Sequence, residues 1–129
     1  MTVSSELIVG PRCLTVRLSG VMEPSFVRGA EQMFREHFEA CARQGLAGLL
    51  YDVRGVESRL GTLDVYEVAK SLASVQAVGI RIAVVARPEQ LSPERFFEQV
   101  ALNRGAPLKL FTREHEAMEW LGCSGPTAG

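Results

Sequence analysis

Ile80–Ala86 reads Ile-Arg-Ile-Ala-Val-Val-Ala. β-Branched side chains dominate this stretch and alternate after its start, which favours extended backbone. Arg87-Pro88 stops it. Upstream, Ala47–Val53 (Ala-Gly-Leu-Leu-Tyr-Asp-Val) is a continuous apolar run ending beside Asp52. Such runs belong to central strands of a sheet covered by helices. Between the two, after a polar loop from Arg54 to Gly61, Thr62 can cap a helix with Asp64 and Glu67 in its first turns. Tyr66, Ala69, Leu72, Ala73 and Gln76 recur on one face of that helix, and Gly79 ends it. A strand, a helix and a second strand in this order imply a right-handed crossover and a parallel pair. If Ile80–Ala86 were helical, the whole topology would fail.

The flanking sequence extends the pattern. Glu6–Val9 and Cys13–Gly20 are short apolar runs separated by Gly10-Pro11-Arg12, a hairpin signal. In the second, Leu14, Val16 and Leu18 alternate with Cys13, Thr15, Arg17 and Ser19, so one face is expected to be buried and the other more polar. Glu23-Pro24-Ser25 opens a helix whose stripe is Phe26, Ala30, Met33, Phe34, His37, Phe38 and Cys41, closed by Gly45. Ser92-Pro93-Glu94 reads as a capped helix start, followed by Phe96, Phe97, Val100 and Ala101. Pro107–Phe111 is a short strand, and Thr112 is expected to cap a last helix ending at Gly122. The order is ββαβαβαβα: an α/β fold with a mixed, mainly parallel sheet of about five strands and four helices. One domain over residues 1–122 and a flexible tail over 123–129 are expected. Ile82, Val84, Leu50, Val53 and Phe34 should form its core.

Composition narrows the function. The chain has 129 residues, 47% apolar and 22% charged, which suits one globular domain. Fourteen basic residues stand against 15 acidic, which argues against nucleic acid as the partner. The longest charge-free stretches, such as Ser71–Ile80, are about ten residues, half of what a membrane-spanning helix needs. No signal-peptide pattern is visible at the start, so a cytoplasmic location is expected. Three cysteines in such a setting predict free thiols: Cys13 and Cys41 buried, Cys123 exposed.

The element order and several strings resemble the SpoIIAA-like superfamily, which includes STAS domains and small bacterial STAS/Sec14-like proteins. The strings are Val16–Val21 (Val-Arg-Leu-Ser-Gly-Val), Leu49–Val56 (Leu-Leu-Tyr-Asp-Val-Arg-Gly-Val), Ile82–Ala86 and Phe111–Gly122. The resemblance spans the chain except its tail. It implies helices packed mainly on one side of the sheet and a non-enzymatic regulatory role exercised by binding. In STAS-type relatives a serine after the equivalent of Leu49–Val53 is phosphorylated. Here that segment is Glu57-Ser58-Arg59-Leu60-Gly61. Ser58 matches the first serine of the relatives' string, and the phosphorylated position falls on Arg59. The usual phosphoserine switch is therefore not expected.

No nucleophile elbow and no phosphate-binding glycine loop is present in the sequence. Asp52 after Leu-Leu-Tyr lacks the acid pair and lysine of a receiver domain and is expected to cap, or to pair with an arginine, in the strand-end loop. His37 and Cys41 lie four apart, but a zinc site needs more ligands. No catalytic residue, metal or cofactor is assigned. In open α/β sheets ligands gather beyond the carboxyl ends of strands. That edge should carry Arg54, Glu57, Ser58 and Arg59, with Arg87 and Glu89 from the next strand. Helix starts at Thr62 and Ser92 would add positive ends, favouring an anionic ligand or an acidic protein patch. A protein partner is the first reading. A small apolar acid or lipid beside the Phe26–Phe38 stripe is the second. A homodimer is left open.

Overall fold

The computed structural model describes residues 3–123. At its centre lie β3 (Gly48–Ser58) and β4 (Arg81–Val85), paired in parallel, with β5 (Leu108–Phe111) parallel beyond β4. β2 (Cys13–Met22) pairs in parallel with the other side of β3, and β1 (Val3–Val9) runs antiparallel to β2 at the edge. The strand order is β1-β2-β3-β4-β5. Every crossover therefore steps one strand in the same direction. Right-handed connections then put α1 (Phe26–Arg43), α2 (Thr62–Val75) and α3 (Leu91–Asn103) on one face. α4 (Glu114–Leu121) follows the last strand and folds back over the opposite face. The expected ββαβαβαβα order is what forms.

Two cores result, and they explain the continuous apolar runs. Leu49, Tyr51, Ile82 and Val84 pack with Phe34, Phe38, Leu72 and Ala101 under α1–α3. Leu50, Ala83 and Val85 point the other way, to Ala117 and Leu121 of α4. The central strands are thus apolar on both sides. β2 departs from expectation for the same reason. Thr15, placed on its more polar face by the sequence pattern, is buried beside Cys13, whose burial was expected, because α4 roofs that end. Val53 is only half-buried, since it faces a cavity rather than a filled core.

Local signals were less reliable than periodicity. Thr62 and Ser92 lie inside their helices and Thr112 before α4, and no side-chain cap bond starts α2, α3 or α4. Asp64 instead accepts the Gly61 N–H at 3.0 Å, and a 3-10 turn at Pro88–Gln90 leads straight into α3. α2 ends at Val75, before Gly79, which has φ +86° in the turn to β4. The expected polar loop from Arg54 is strand as far as Ser58, because β2 continues to Met22 and supplies a partner.

The cysteines correct a prediction. Cys13 and Cys123 form a disulfide, with Cα atoms 5.9 Å apart, while Cys41 is a buried free thiol. Burial pushes the Cys41 thiol up to about 11. The pairing is non-local: α4 carries Cys123 back over β2, which spacing of 110 residues could not reveal. The rest of the expected flexible tail, 124–129, lies outside the described residues. Gly48 makes room here, since a Cβ on it would sit 2.6 Å from Cys13 Sγ and 3.2 Å from Leu121 Cβ.

Two outcomes follow. Alkylation of denatured, unreduced protein should label Cys41 alone; labelling of all three cysteines would remove the disulfide. Gly48→Ala should cost about 1–3 kcal/mol by overpacking α4 against the sheet, and an unchanged urea midpoint would refute that close approach.

Candidate functional site

β3 outruns β4. The β3–β4 pairing ends at Asp52↔Val85, so Val53–Ser58 has no strand on that side. Their carbonyls still need partners. Gln90, from the turn after β4, donates its Nε2 to the Val53 carbonyl at 3.0 Å and the Val56 carbonyl at 3.1 Å. Arg87 Nη1 donates to the Arg54 carbonyl. Gln90 was missed by sequence reading, because a polar residue before a helix looks like any solvated loop residue.

On the other side β3 carries a bulge. Arg17 pairs with Asp52 but Ser19 with Gly55, so β3 has one extra residue opposite Leu18. One extra residue flips every later side chain to the opposite face. Leu49, Tyr51 and Val53 face α1–α3, and after the bulge Val56 and Ser58 do so too. Gly55 fits at this bend, where a Cβ would stand 3.2 Å from the Leu18 carbonyl and from Ser19.

The six sequence-predicted residues divide accordingly. Glu57, Ser58, Arg87 and Glu89 line one cavity. Arg59 stands beside it, with ion pairs to Glu57 at 3.5 Å and Glu23 at 3.7 Å. The Arg54 side chain goes to the α4 face. There it donates its Nε to Asp52 Oδ1 at 2.9 Å, and its Nη2 to Asp52 Oδ2 at 2.9 Å and Glu114 Oε1 at 2.7 Å.

Arg17 completes a four-membered ion network on that face. Its Nη1 donates to Asp52 Oδ2 at 2.7 Å and Glu114 Oε1 at 3.0 Å, and its Nη2 to Glu114 Oε2 at 3.1 Å. Burial alone would raise the Asp52 carboxyl, but hydrogen bonds from Arg54 and Arg17 outweigh it and hold it low. The Arg17 hydrogen bonds do the same for Glu114. Asp52 pairs with arginine as expected. Arg17 and Glu114 read only as a polar strand position and a first-turn acid. The network ties α4 to β2 and β3, so Arg54 has a structural role that the exposed-loop expectation did not include.

The cavity occupies about 270 Å³ between the sheet and α1–α3. Met22, Phe34, Val53, Val84 and Phe97 make much of its wall, and Phe26 and Met33 bring part of the aromatic α1 stripe to it. At its lip stand Glu57, Arg87, Glu89 and Glu94. Loss of water raises the Glu94 carboxyl to about 7. Tyr51 lines the floor and its hydroxyl lies 2.7 Å from His37 Nδ1, so His37 is a partnered core histidine. Burial lowers the His37 pKa. Among the described residues no group of three His, Cys, Asp or Glu side chains is set to hold a metal ion.

No protein-family model matches the sequence, and no curated protein is significantly similar to it. Solved structures are similar in shape. An anti-sigma factor antagonist from Mycobacterium paratuberculosis matches with a TM-score of 0.64 at 18% identity, over 94% of this chain and 95% of that one. An uncharacterised protein from Shewanella loihica with a SpoIIAA-like fold matches with a TM-score of 0.54 at 16% identity, over 92% and 93%. The chain has the SpoIIAA-like fold. The anti-sigma factor antagonist SpoIIAA in its unphosphorylated form is also similar, with a TM-score of 0.50 at 15% identity over 92% and 98%.

Within this SpoIIAA-like fold the segment after β3 is a tight turn. The Leu60 N–H donates to Ser58 Oγ at 3.2 Å, and the Arg59 N–H to the Met22 carbonyl at 2.9 Å. Arg59, the position that the sequence resemblance aligns with a phosphorylated serine, projects into solvent between Glu23 and Glu57. No helix among the described residues is long and apolar enough to cross a membrane.

The ion network has a measurable consequence. Asp52→Ala would leave the Arg17 and Arg54 guanidinium groups sharing one carboxylate. It should cost about 2–3 kcal/mol, the scale of hydrogen bonds to charged groups. Both carboxyls are held below their ordinary values. Their stabilisation is therefore present above an unfolded pKa of about 4 and lost as pH falls through the folded values. The variant should lose less stability than the parent on acidification, and parallel acid curves would contradict the network.

Proposed function

We propose that the protein is a non-enzymatic regulatory module that binds a protein partner through the carboxyl edge of its sheet. The observation that carries this reading is the fold, shared with anti-sigma factor antagonists over nearly the whole chain. The site we assign is Glu57, Ser58 and Arg59 after the bulge, with Arg87 and Glu89 from the turn after β4, held in place by Arg54. The rigid backing supports it: Gln90 and Arg87 lock the free side of β3, so the charged side chains sit on an ordered platform rather than a loop. The best-placed reactive groups, His37, Cys41 and Asp52, are each buried or engaged internally, which favours binding over catalysis. With Arg59 at the aligned position, partner binding is not governed by the usual phosphoserine. A cytoplasmic setting belongs to this same proposal.

A second reading has its own support. The cavity beneath the same edge has mostly apolar walls and is open to solvent past the charged lip, which suits a small amphipathic ligand.

For the first reading, the immobilised protein is used to capture partners from a native extract. The Arg59→Ala/Arg87→Ala variant should bind a captured partner more weakly by about 1–3 kcal/mol, with the loss shrinking at high salt. Equal affinity for parent and variant, with the fold intact by circular dichroism, would move the interface away from this edge.

A further inference from the structure

We propose that the cavity between the sheet and α1–α3 binds a small apolar amine, with its hydrocarbon body against Phe34, Val53, Val84 and Phe97 and its ammonium on the Glu94 carboxylate. The inference rests on the ligand reading above and assigns the chemical class of that ligand. It reverses the charge that the arginines of this edge suggest in the sequence.

The arginines are committed elsewhere. Arg87 Nε donates to Glu89 Oε2 at 3.1 Å and its Nη1 to the Arg54 carbonyl. Arg54 lies on the far face with Asp52 and Glu114, and Arg59 is paired with Glu57 and Glu23. Gln90 is occupied by two β3 carbonyls, and Ser58 Oγ accepts from Leu60. Glu94 differs. It is half-buried at the mouth of the cavity, and among the described residues only loss of water acts on its carboxyl.

Three carboxyl groups, Glu57, Glu89 and Glu94, line the opening; Glu57 is paired with Arg59 and Glu89 with Arg87, which leaves Glu94 as the surplus acid. A carboxylate ligand would face this excess acid with no free guanidinium to receive it. An alcohol would gain one ordinary hydrogen bond. An ammonium would give the half-buried Glu94 a charge-assisted hydrogen bond, the strongest of the three arrangements. The volume, about 270 Å³, suits a compact ligand rather than a two-chain lipid.

The charge on Glu94 supplies a pH signature. Loss of water pushes its carboxyl up to about 7. The other groups around the cavity are Glu57 and Tyr51 on β3, and Arg87 and Glu89 on the turn after β4. α1 and α2 present Phe26, Met33, Phe34, Val65 and Val68, with no charge. An alkylamine stays protonated across this range, so its affinity should rise with pH as Glu94 ionises.

The test uses the purified protein and three probes with one hydrocarbon body: hexylamine, hexanol and hexanoate. Binding is measured by titration calorimetry for the parent, for Glu94→Gln and for the cavity-filling Val53→Phe. At about pH 8.5 hexylamine should bind the parent roughly tenfold more tightly than hexanol, with hexanoate weakest. That advantage should vanish at about pH 5.5, where Glu94 is protonated, and at either pH in Glu94→Gln. Val53→Phe should weaken all three probes together. Hexanoate binding as well as hexylamine, or an amine preference that survives in Glu94→Gln, would overturn the assignment while leaving the cavity as a ligand site. Failure of all three probes, hexanol included, would overturn the ligand reading itself.

Discussion

The mismatch in length between β3 and β4 is the constraint on which the functional edge depends. β3 runs on past the last residue of β4, and backbone groups beyond that point cannot be left bare. Gln90 and Arg87 satisfy three of those carbonyls from the turn between β4 and α3. This anchors the start of α3, which in turn holds Phe97 and Glu94 over the sheet. The cavity is the space left between this anchored start, α1 and the overhanging strand.

The bulge opposite Leu18 decides which chemistry stands on which side. Without it, Arg54 and Val56 would share a face. With it, Arg54 joins Arg17, Asp52 and Glu114 under α4, while Val56 and Ser58 turn to the cavity. A one-residue irregularity therefore separates a structural ion network from the candidate binding edge. It also cancels two arginines against two carboxylates, so the basic character suggested by the local sequence is spent inside the fold.

α4 makes the sheet two-sided. It roofs Leu50, Ala83 and Val85, Gly48 lets it come close, and Trp120 stacks under the Arg81 guanidinium at 4.1 Å. The Cys13–Cys123 disulfide and the Arg17–Glu114 hydrogen bonds fasten its two ends to β2. Beyond its packing on the neighbouring β5, where Trp120 meets Phe111, this short helix is held by contacts from distant parts of the chain.

Element order, the central strands, the face of α1 and the burial of Ile82, Val84 and Phe34 were legible in the sequence, because hydrophobic periodicity is a local quantity that each segment carries by itself. On α2 only Ala69, Leu72 and Ala73 of the expected stripe are buried, joined by Val65 and Val68 in place of Tyr66 and Gln76. The convergence of Glu57, Ser58, Arg87 and Glu89 followed from the rule that parallel neighbours end on the same side. The extension of β3 to Ser58, the bulge, the role of Gln90, the disulfide and the separation of Arg54 from its neighbours did not. Each depends on register between segments far apart in the chain. Register is set by how strands and helices pack against one another, which no single stretch of residues contains.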